Sequence, residues 1–178
     1  MDIFLQLVIS ALIPGTLFAL VALGFTLVAS VSRFLHLAHG AVVLASGYSF
    51  YALVVGVGWS PLVAAAITSV GAALLGAAIN ATVYERFRKG RTLIAIVTLI
   101  VAIALMMLLE NILLFIFGSQ TKIVPVLLEG SVSIAGAIVT IQEIWIMGLS
   151  LVFFSLTYCF WRFSAFGRSA RAVADNEE

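Results

Sequence analysis

Five long apolar stretches dominate this chain and leave few folds open to it. They cover residues 4–31, 37–57, 61–83, 93–117 and 143–161. A helix needs about 20 apolar residues to cross the hydrocarbon core of a bilayer, and each stretch is close to that length or longer. Of all residues, 63% are hydrophobic and 10% are charged, whereas soluble domains have about 25% charged residues. We therefore predict an integral membrane protein.

The chemistry of the lipid phase decides the fold class. The alternation of apolar and polar residues that marks a membrane β-barrel is absent from the five stretches. Because lipid offers no hydrogen-bond partners, each backbone group has to be paired within its own helix. The prediction is an all-α, polytopic transmembrane helical bundle of about five spans, with residues 1–178 forming a single transmembrane domain.

Basic residues at two places predict which side of the membrane each connection faces. One group follows the third stretch and the other follows the fifth: Arg86, Arg88, Lys89 and Arg91, then Arg162, Arg168 and Arg171. Basic residues favour the cytoplasmic side, and two spans separate the groups, so both are expected there. The N-terminus and the segment 118–142 then lie outside, and residues 162–178 form a cytoplasmic tail.

The long outer segment 118–142 contains two short extended patterns. Residues 122–126 and 131–134 are rich in Val and Ile, and Glu129-Gly130 between them is typical of a turn. The pattern is compatible with a small β-hairpin and equally with a plain ordered loop.

A ridge of small residues follows the third stretch at four-residue spacing. Its members are Ala64, Thr68, Ala72, Gly76 and Asn80. Small side chains on one helix face allow a neighbouring helix to approach closely, so the ridge predicts a helix–helix seam. Asn80 at its end either donates a hydrogen bond across that seam or contacts a substrate.

Two histidines lie in the turn after the first stretch, in a chain that is poor in polar residues. His36, His39 and Gly40 precede or begin the second span, and polar groups in membranes usually face an aqueous path or a partner helix. Two histidines without a nearby carboxylate or thiolate are an incomplete ligand set, so no metal is predicted. His39 either marks a helix N-terminus that binds a carboxylate or serves as an interfacial cap.

Two residue pairs interrupt the apolar spans. Pro14-Gly15 removes a backbone hydrogen bond from the first span, which predicts a kink or, alternatively, backbone exposed to a substrate. Glu110-Asn111 lies in the outer half of the fourth span, where a carboxyl group has to be near an interface, paired or protonated. For this pair we favour a structural polar contact over a proton relay.

The sequence lacks the patterns that catalysis needs. It has no nucleophile with a base and an orienting acid, no Gly-rich phosphate loop and no carboxylate pair at workable spacing. We therefore predict that the chain is not an enzyme and carries no cofactor of its own.

Three stretches together carry a family pattern. Residues 19–28 read ALVALGFTLV and lead into Leu37-Ala38-His39-Gly40, close to a pattern ALxALGxTLxxG followed by NFAHG. Glu85-Arg86-Phe87 precedes a basic cluster and residues 93–98, and residues 166–176 read FGRSARAVADN, close to GRAMRAVADN. Together they resemble the permease subunits of high-affinity branched-chain amino acid ABC importers, a family that also includes urea and short-amide importers.

The resemblance implies transport across the bacterial inner membrane or the archaeal cell membrane. A second permease subunit would complete the pathway, two cytoplasmic ABC ATPases would supply energy from their bound ATP, and an extracytoplasmic binding protein would deliver the solute. That solute would be a branched-chain amino acid or a similar small polar molecule. No nucleic-acid partner is implied.

Residues are thereby assigned to two sites. From the patterns described above, the substrate pathway would include His36, His39, Gly40 and Asn80. The resemblance implies that the contact with the ATPases includes Gly167, Arg168, Arg171, Ala172, Ala174 and Asp175. The two arginines of that contact either pair with acidic groups on the ATPases or anchor the inner membrane face.

The chain departs from the family pattern in three respects. The glycine expected after residues 26–28 is replaced by Ala29 or Ser30. His36 stands where the family has Asn, and family members continue with further spans beyond the position of Glu178, so we expect this chain to be the N-terminal portion of a permease. The alternative is a truncated or split subunit that acts only in assembly. A channel is a third interpretation, and the absence of charged rings argues against it.

Overall fold

The chain folds as a set of long helices. A computed structural model describes residues 2–32, 37–88, 94–125, 128–134, 136–165 and 167–169. Within these residues the helices are α1 Asp2–Ser32, α2 Ala38–Tyr51, α3 Pro61–Ile79, α4 Glu85–Arg88, α5 Ile94–Phe117 and α6 Ile141–Phe163. Five helical regions of the described chain are long and apolar enough to cross a membrane, which confirms the predicted polytopic all-α bundle.

Two of the spans are completed by a π-helical turn. The helix of α2 continues over Ala52–Gly56, and that of α3 continues over Asn80–Tyr84. At the first turn the Val57 N–H donates to the Ala52 carbonyl oxygen, five residues back, at 3.0 Å. With these turns included the two spans have 19 and 24 residues, which suffices to cross a bilayer. Single π-helical turns inside α-helices are frequent at functional sites.

The described contacts divide the chain into two compact units. One is Phe34–Pro125, called here the α2–α3–α5 unit, and the other combines Met1–Arg33 with Val126–Glu178, called here the α1–α6 unit. In the first, α2 packs against both α3 and α5, and in the second α1 packs against α6. Both units are therefore held together by helix–helix packing, and many large apolar side chains on their helices remain exposed.

The core of the α2–α3–α5 unit lies where three helical segments meet. Ile79 and Tyr84 at the end of the third span pack with Ala102 of α5, and all three are buried. Leu37 and Val42 from the start of the second span pack against the same residues. This cluster fixes the predicted inner ends of the spans relative to each other.

In the α1–α6 unit, α1 remains helical through the proline that predicted a kink. Pro14 lies inside the helix, which runs from Asp2–Ser32 without interruption. The Thr16 hydroxyl donates to the Ile13 carbonyl oxygen at 2.8 Å in the adjoining turn. The structure therefore shows no unwound backbone within the described residues of α1.

A two-stranded hairpin precedes α6 and confirms one of the two interpretations of the outer segment. Strands β1, Ser131–Ile134, and β2, Ala137–Thr140, are antiparallel, with Ser131 opposite Thr140. Gly136 in the connection has φ +89°, a conformation that glycine adopts without a steric cost.

The expected partner strand was wrong. Of the segment 122–126, the described residues 122–125 do not pair with β1, and Glu129-Gly130 is not the turn of the hairpin. In β2, Ala137 and Val139 are buried and alternate with exposed residues, so one face of this strand is apolar and buried. Lys122 and Val124 instead line a cavity against α2.

A capping box begins α6. The Thr140 hydroxyl accepts from the Glu143 N–H at 3.2 Å, and the Glu143 carboxylate accepts from the Thr140 N–H at 2.8 Å. Two backbone donors at the helix start are satisfied in this way. The hairpin therefore leads into the span without a loose connection.

Gln6 ties α1 to the edge of the hairpin. Its side-chain Nε2 donates to the Ile138 carbonyl oxygen at 3.0 Å, and its Oε1 accepts from the Ile138 N–H at 2.8 Å. The side-chain amide thus takes the place of a third strand at the edge of β2. One polar side chain in an apolar helix positions the outer hairpin.

Replacing Gln6 by leucine is expected to release this edge. Both hydrogen bonds are lost, at a cost of about 1 kcal/mol, and amide exchange at Ile138 speeds up roughly fivefold because its N–H opens to water. Hydrogen–deuterium exchange followed by mass spectrometry measures the effect. Gln6→Glu is the matched control, since it keeps the acceptor and retains part of the protection. Equal exchange in Gln6→Leu and the parent chain would contradict the role of this contact.

Candidate functional site

The described members of the predicted pathway, His39, Gly40 and Asn80, lie at the predicted inner ends of the spans in the α2–α3–α5 unit. His39 is half-buried in the first turn of α2, next to the core cluster described above. Gly40 is exposed, and a Cβ placed on it would meet no other atom within 4 Å. A neighbouring helix or a solute can therefore approach the backbone of α2 closely at this point. His36 lies outside the described residues.

The ridge on the third span forms the predicted seam over most of its length. Ala64 and Thr68 are buried, and Ala72 and Gly76 are half-buried. The helices α2 and α3 are in contact as predicted, but the ridge is tightly buried only at Ala64 and Thr68, because a Cβ added at Gly76 would meet no atom within 4 Å. Asn80, in contrast, is exposed, so it is placed on the surface of the unit and not in the seam. It begins the π-helical turn that completes the third span.

A cleft of about 220 Å³ opens between α2 and α3 in the same unit. Hydroxyl groups line it from both helices: Ser46, Ser49 and Thr68. Each donates to a carbonyl oxygen three or four residues earlier in its own helix, at 2.6–2.8 Å. The donors are thereby satisfied inside the membrane, while the oxygens keep acceptor capacity toward the cleft. Sequence reasoning missed this cleft, although the three-residue spacing of the two serines was visible.

Two larger cavities lie toward the predicted outer end of the unit. One, of about 570 Å³, lies between α2 and the segment after α5 and includes Lys122 in its lining. The other, of about 300 Å³, lies between α2 and α5 and includes Glu110 and Asn111. The Asn111 side chain donates to the Met107 carbonyl oxygen at 2.7 Å, which is the structural contact expected for one member of that pair.

A single serine joins the end of α6 to the tail. The Ser164 N–H donates to the Phe160 carbonyl oxygen at 3.0 Å and closes α6. The Ser164 hydroxyl accepts from the Gly167 N–H at 2.9 Å, and its carbonyl oxygen accepts from the Arg168 N–H at 3.1 Å. Ser164 therefore also caps the next helical turn, so the tail leaves the span in a defined direction.

Gly167 makes this change of direction possible. It is buried, and a Cβ added to it would overlap the backbone of Trp161, with the carbonyl carbon 2.7 Å away. Arg168 completes the turn, because its guanidinium donates to the Phe163 carbonyl oxygen at 2.8 Å. A cation at the C-terminus of a helix is favourable for the helix dipole. The sequence did not indicate this contact, and the pairing of Arg168 with an ATPase and its role as a membrane anchor both remain predictions.

Several predicted residues of the tail cannot be placed. Arg171, Ala172, Ala174 and Asp175 lie outside the described residues, so their assignment to an ATPase contact remains a prediction. Among the residues that the structure does describe, no three His, Cys, Asp or Glu side chains come together as a metal site requires.

Comparison of the sequence with known protein families assigns the chain to one of them. Residues 7–178 match the family described as the permease component of branched-chain amino acid transport systems. This chain belongs to that permease family. The match includes all five membrane-spanning regions and the turn around Gly167, so the family pattern and the fold cover the same residues.

Curated relatives agree with the family. The chain is 29% identical over 187 residues to the high-affinity branched-chain amino acid transport system permease protein BraD of Pseudomonas aeruginosa, covering 97% of this chain and 60% of the relative. It is 30% identical to the corresponding protein LivH of Escherichia coli and to LivH of Salmonella typhimurium, covering 97% of this chain and 59% of each relative. The chain thus spans about three fifths of the length of these relatives. No solved structure matches it.

Proposed function

We propose that this chain is a membrane-spanning permease subunit of an ABC importer. It forms part of the translocation pathway for branched-chain amino acids or a similar small polar solute. The single observation that carries the proposal is the family match over residues 7–178, which extends across every span of the described chain.

The proposal includes the partners that such an importer needs. A second permease subunit completes the pathway, an extracytoplasmic binding protein delivers the solute, and two cytoplasmic ATPases bind and hydrolyse ATP. This chain has no catalytic role of its own. The defined turn at Ser164 and Gly167 supports a contact between the tail and the ATPases, because a rigid connection transmits motion to α6.

On the pathway side, the exposed surface of the α2–α3–α5 unit supports a role in solute contact. Gly40 leaves the backbone of α2 open, and Asn80 presents an amide on the surface beside a π-helical turn. An exposed amide within a membrane span is costly against lipid and favourable against water or a partner. We therefore keep Gly40, His39 and Asn80 as proposed pathway residues.

Reconstitution of the complete importer tests the proposal. The full-length chain is combined with its second permease and ATPases in proteoliposomes, and the binding protein is added with labelled leucine, valine or urea. We expect ATP-dependent accumulation of the branched-chain amino acids. Complexes with a hydrolysis-deficient ATPase serve as the control and accumulate none. A complete, membrane-inserted complex that hydrolyses ATP without any uptake of these solutes would remove the transport assignment and favour the assembly-subunit alternative.

A further inference from the structure

One face of α2 is open along nearly its whole length. Gly40, Gly47 and Tyr51, together with the neighbours Val43 and Leu44, recur at positions i, i+3, i+4, i+7 and i+11 and are exposed or half-buried. Residues at this spacing lie on one side of a helix. A Cβ added at Gly40 or Gly47 would meet no atom within 4 Å. The unit therefore contains a continuous track from the proposed pathway residue Gly40 toward the predicted outer surface.

The outer part of this track is the wall of the larger cavity. Val43, Leu44, Gly47 and Tyr51 line it on the α2 side. The opposite side comes from the segment after α5, which contributes one apolar residue, Val124, and four polar ones: Ser119, Gln120, Thr121 and Lys122. Its volume of about 570 Å³ falls in the range of sites for small molecules, about 300–1,000 Å³.

The smaller cavity continues from the larger one. Leu44 and Tyr48 line both, so the two adjoin along α2. Tyr48 is held against Phe117, with 4.7 Å between the ring centroids, which makes it a firm part of the shared wall. Glu110 and Asn111 of α5 line the smaller cavity.

The position of Glu110 decides what fills the smaller cavity. Its side chain is exposed on the unit and lies seven residues before the end of α5, about 10 Å along the helix. An ionised carboxylate within a span is expensive against hydrocarbon and is favourable only where water or a partner contacts it. Lys122 lines the adjoining cavity, so side chains of opposite formal charge line the two neighbouring cavities.

We propose that these two cavities form an outer vestibule filled with water that binds an α-amino acid as a zwitterion. Lys122 at the mouth receives the carboxylate, and Glu110 receives the ammonium group as the solute moves inward along the open face of α2. The aliphatic side chain lies against Val43 and Leu44. This inference rests on the proposed transport function and adds the residues that recognise the two charges of the solute.

Thiol labelling in intact vesicles tests the vestibule directly. Cys159 is replaced by serine, and single cysteines are introduced as Gly47→Cys or Ser119→Cys in the full-length chain assembled with its partner subunits. A membrane-impermeant thiol reagent added outside should label both. Ser60→Cys, in the predicted outer loop, is the positive control and should be labelled. Leu74→Cys is the negative control and should stay unlabelled, because Leu74 is exposed on α3 and does not line either cavity. If the reagent labels Ser60→Cys but leaves either Gly47→Cys or Ser119→Cys unlabelled, the vestibule is overturned in favour of a covered interface.

Solute protection tests the ligand class. Vesicles without binding protein receive leucine, leucinamide, which lacks the carboxylate, or 4-methylpentanoate, which lacks the ammonium group. Leucine at high concentration should slow labelling of Gly47→Cys about tenfold, and each analogue should protect at least tenfold more weakly, since one charge-assisted hydrogen bond is lost. No protection by leucine, or equal protection by all three, overturns the proposal.

Charge variants separate this inference from the proposed function. Lys122→Gln and Glu110→Gln should lower leucine uptake by the complete importer about tenfold, and Lys122→Arg should restore most of it. Uptake at the parent rate in both glutamine variants overturns the vestibule while leaving the transport function in place. If the parent complex imports no leucine although leucine protects Gly47→Cys, the transport assignment fails and the binding vestibule stands.

Discussion

Replacing Gly167 by alanine is expected to abolish most leucine uptake by the complete importer without preventing membrane insertion. The added Cβ overlaps the backbone of Trp161, and backbone cannot move aside as a flexible side chain can. Overpacking of this kind costs about 1–3 kcal/mol where the structure adapts. Here the adaptation consists of breaking the Ser164 cap at 2.9 Å and turning the tail away from α6.

The expected readout is a loss of coupling. ATP-driven uptake should fall about tenfold or more, while the amount of inserted protein stays at the parent level. Gly148→Ala is the matched control, because Gly148 lies in α6, the helix that precedes the turn at Gly167, and a Cβ there meets nothing within 4 Å. Alanine also favours the helix more than glycine does, so this control should keep full activity. Normal uptake by Gly167→Ala would show that the close approach to Trp161 is not needed for transport.

Ala64→Leu is expected to separate α2 from α3. Ala64 is completely buried in the seam between these helices, where the ridge of small residues determines how closely they pack. Leucine adds three carbon atoms to a closed space, and such a change costs about 1–3 kcal/mol through strained rotamers and shifted backbone. The cleft next to Thr68 should widen, because this residue lies one turn along the same face.

Thermal unfolding of the purified chain in detergent measures this cost. We expect the midpoint for Ala64→Leu to fall by several degrees, roughly 4–8 °C per kcal/mol in small domains and less in larger ones. Ala65→Leu is the matched control, since Ala65 is the same residue type one position away and is exposed. It should change the midpoint little. An equal decrease for both variants would sink the interpretation of the ridge as a tightly packed seam.

Much of the fold could be predicted because the lipid phase restricts the choices. The predicted span 61–83 compares with the observed Pro61–Tyr84, and 93–117 compares with Ile94–Phe117. Long apolar runs permit one backbone arrangement, the helix, and their ends are marked by polar residues. The hairpin partner was mispredicted because short apolar runs such as 122–126 and 137–140 look alike until the neighbours that cover them are known.

In the candidate site too, some features could be predicted from the sequence and others could not. The importance of Gly167 was predicted only from a resemblance, and its physical reason, contact with the Trp161 backbone, depends on how the tail turns back on α6. Lys122 and Glu110 are twelve positions apart in the chain, and nothing in their spacing predicts that they line adjoining cavities. They do so because the segment after α5 passes beside α2.

The amino-acid order alone determined that this protein crosses a membrane as helices, since hydrophobic length and charge placement are properties of each segment by itself. Only the tertiary structure decided which glycine tolerates no side chain, which surfaces of α2 stay open and which polar groups face one another. Those properties arise from contacts between segments distant in the chain, and no single segment specifies which other segment it will contact.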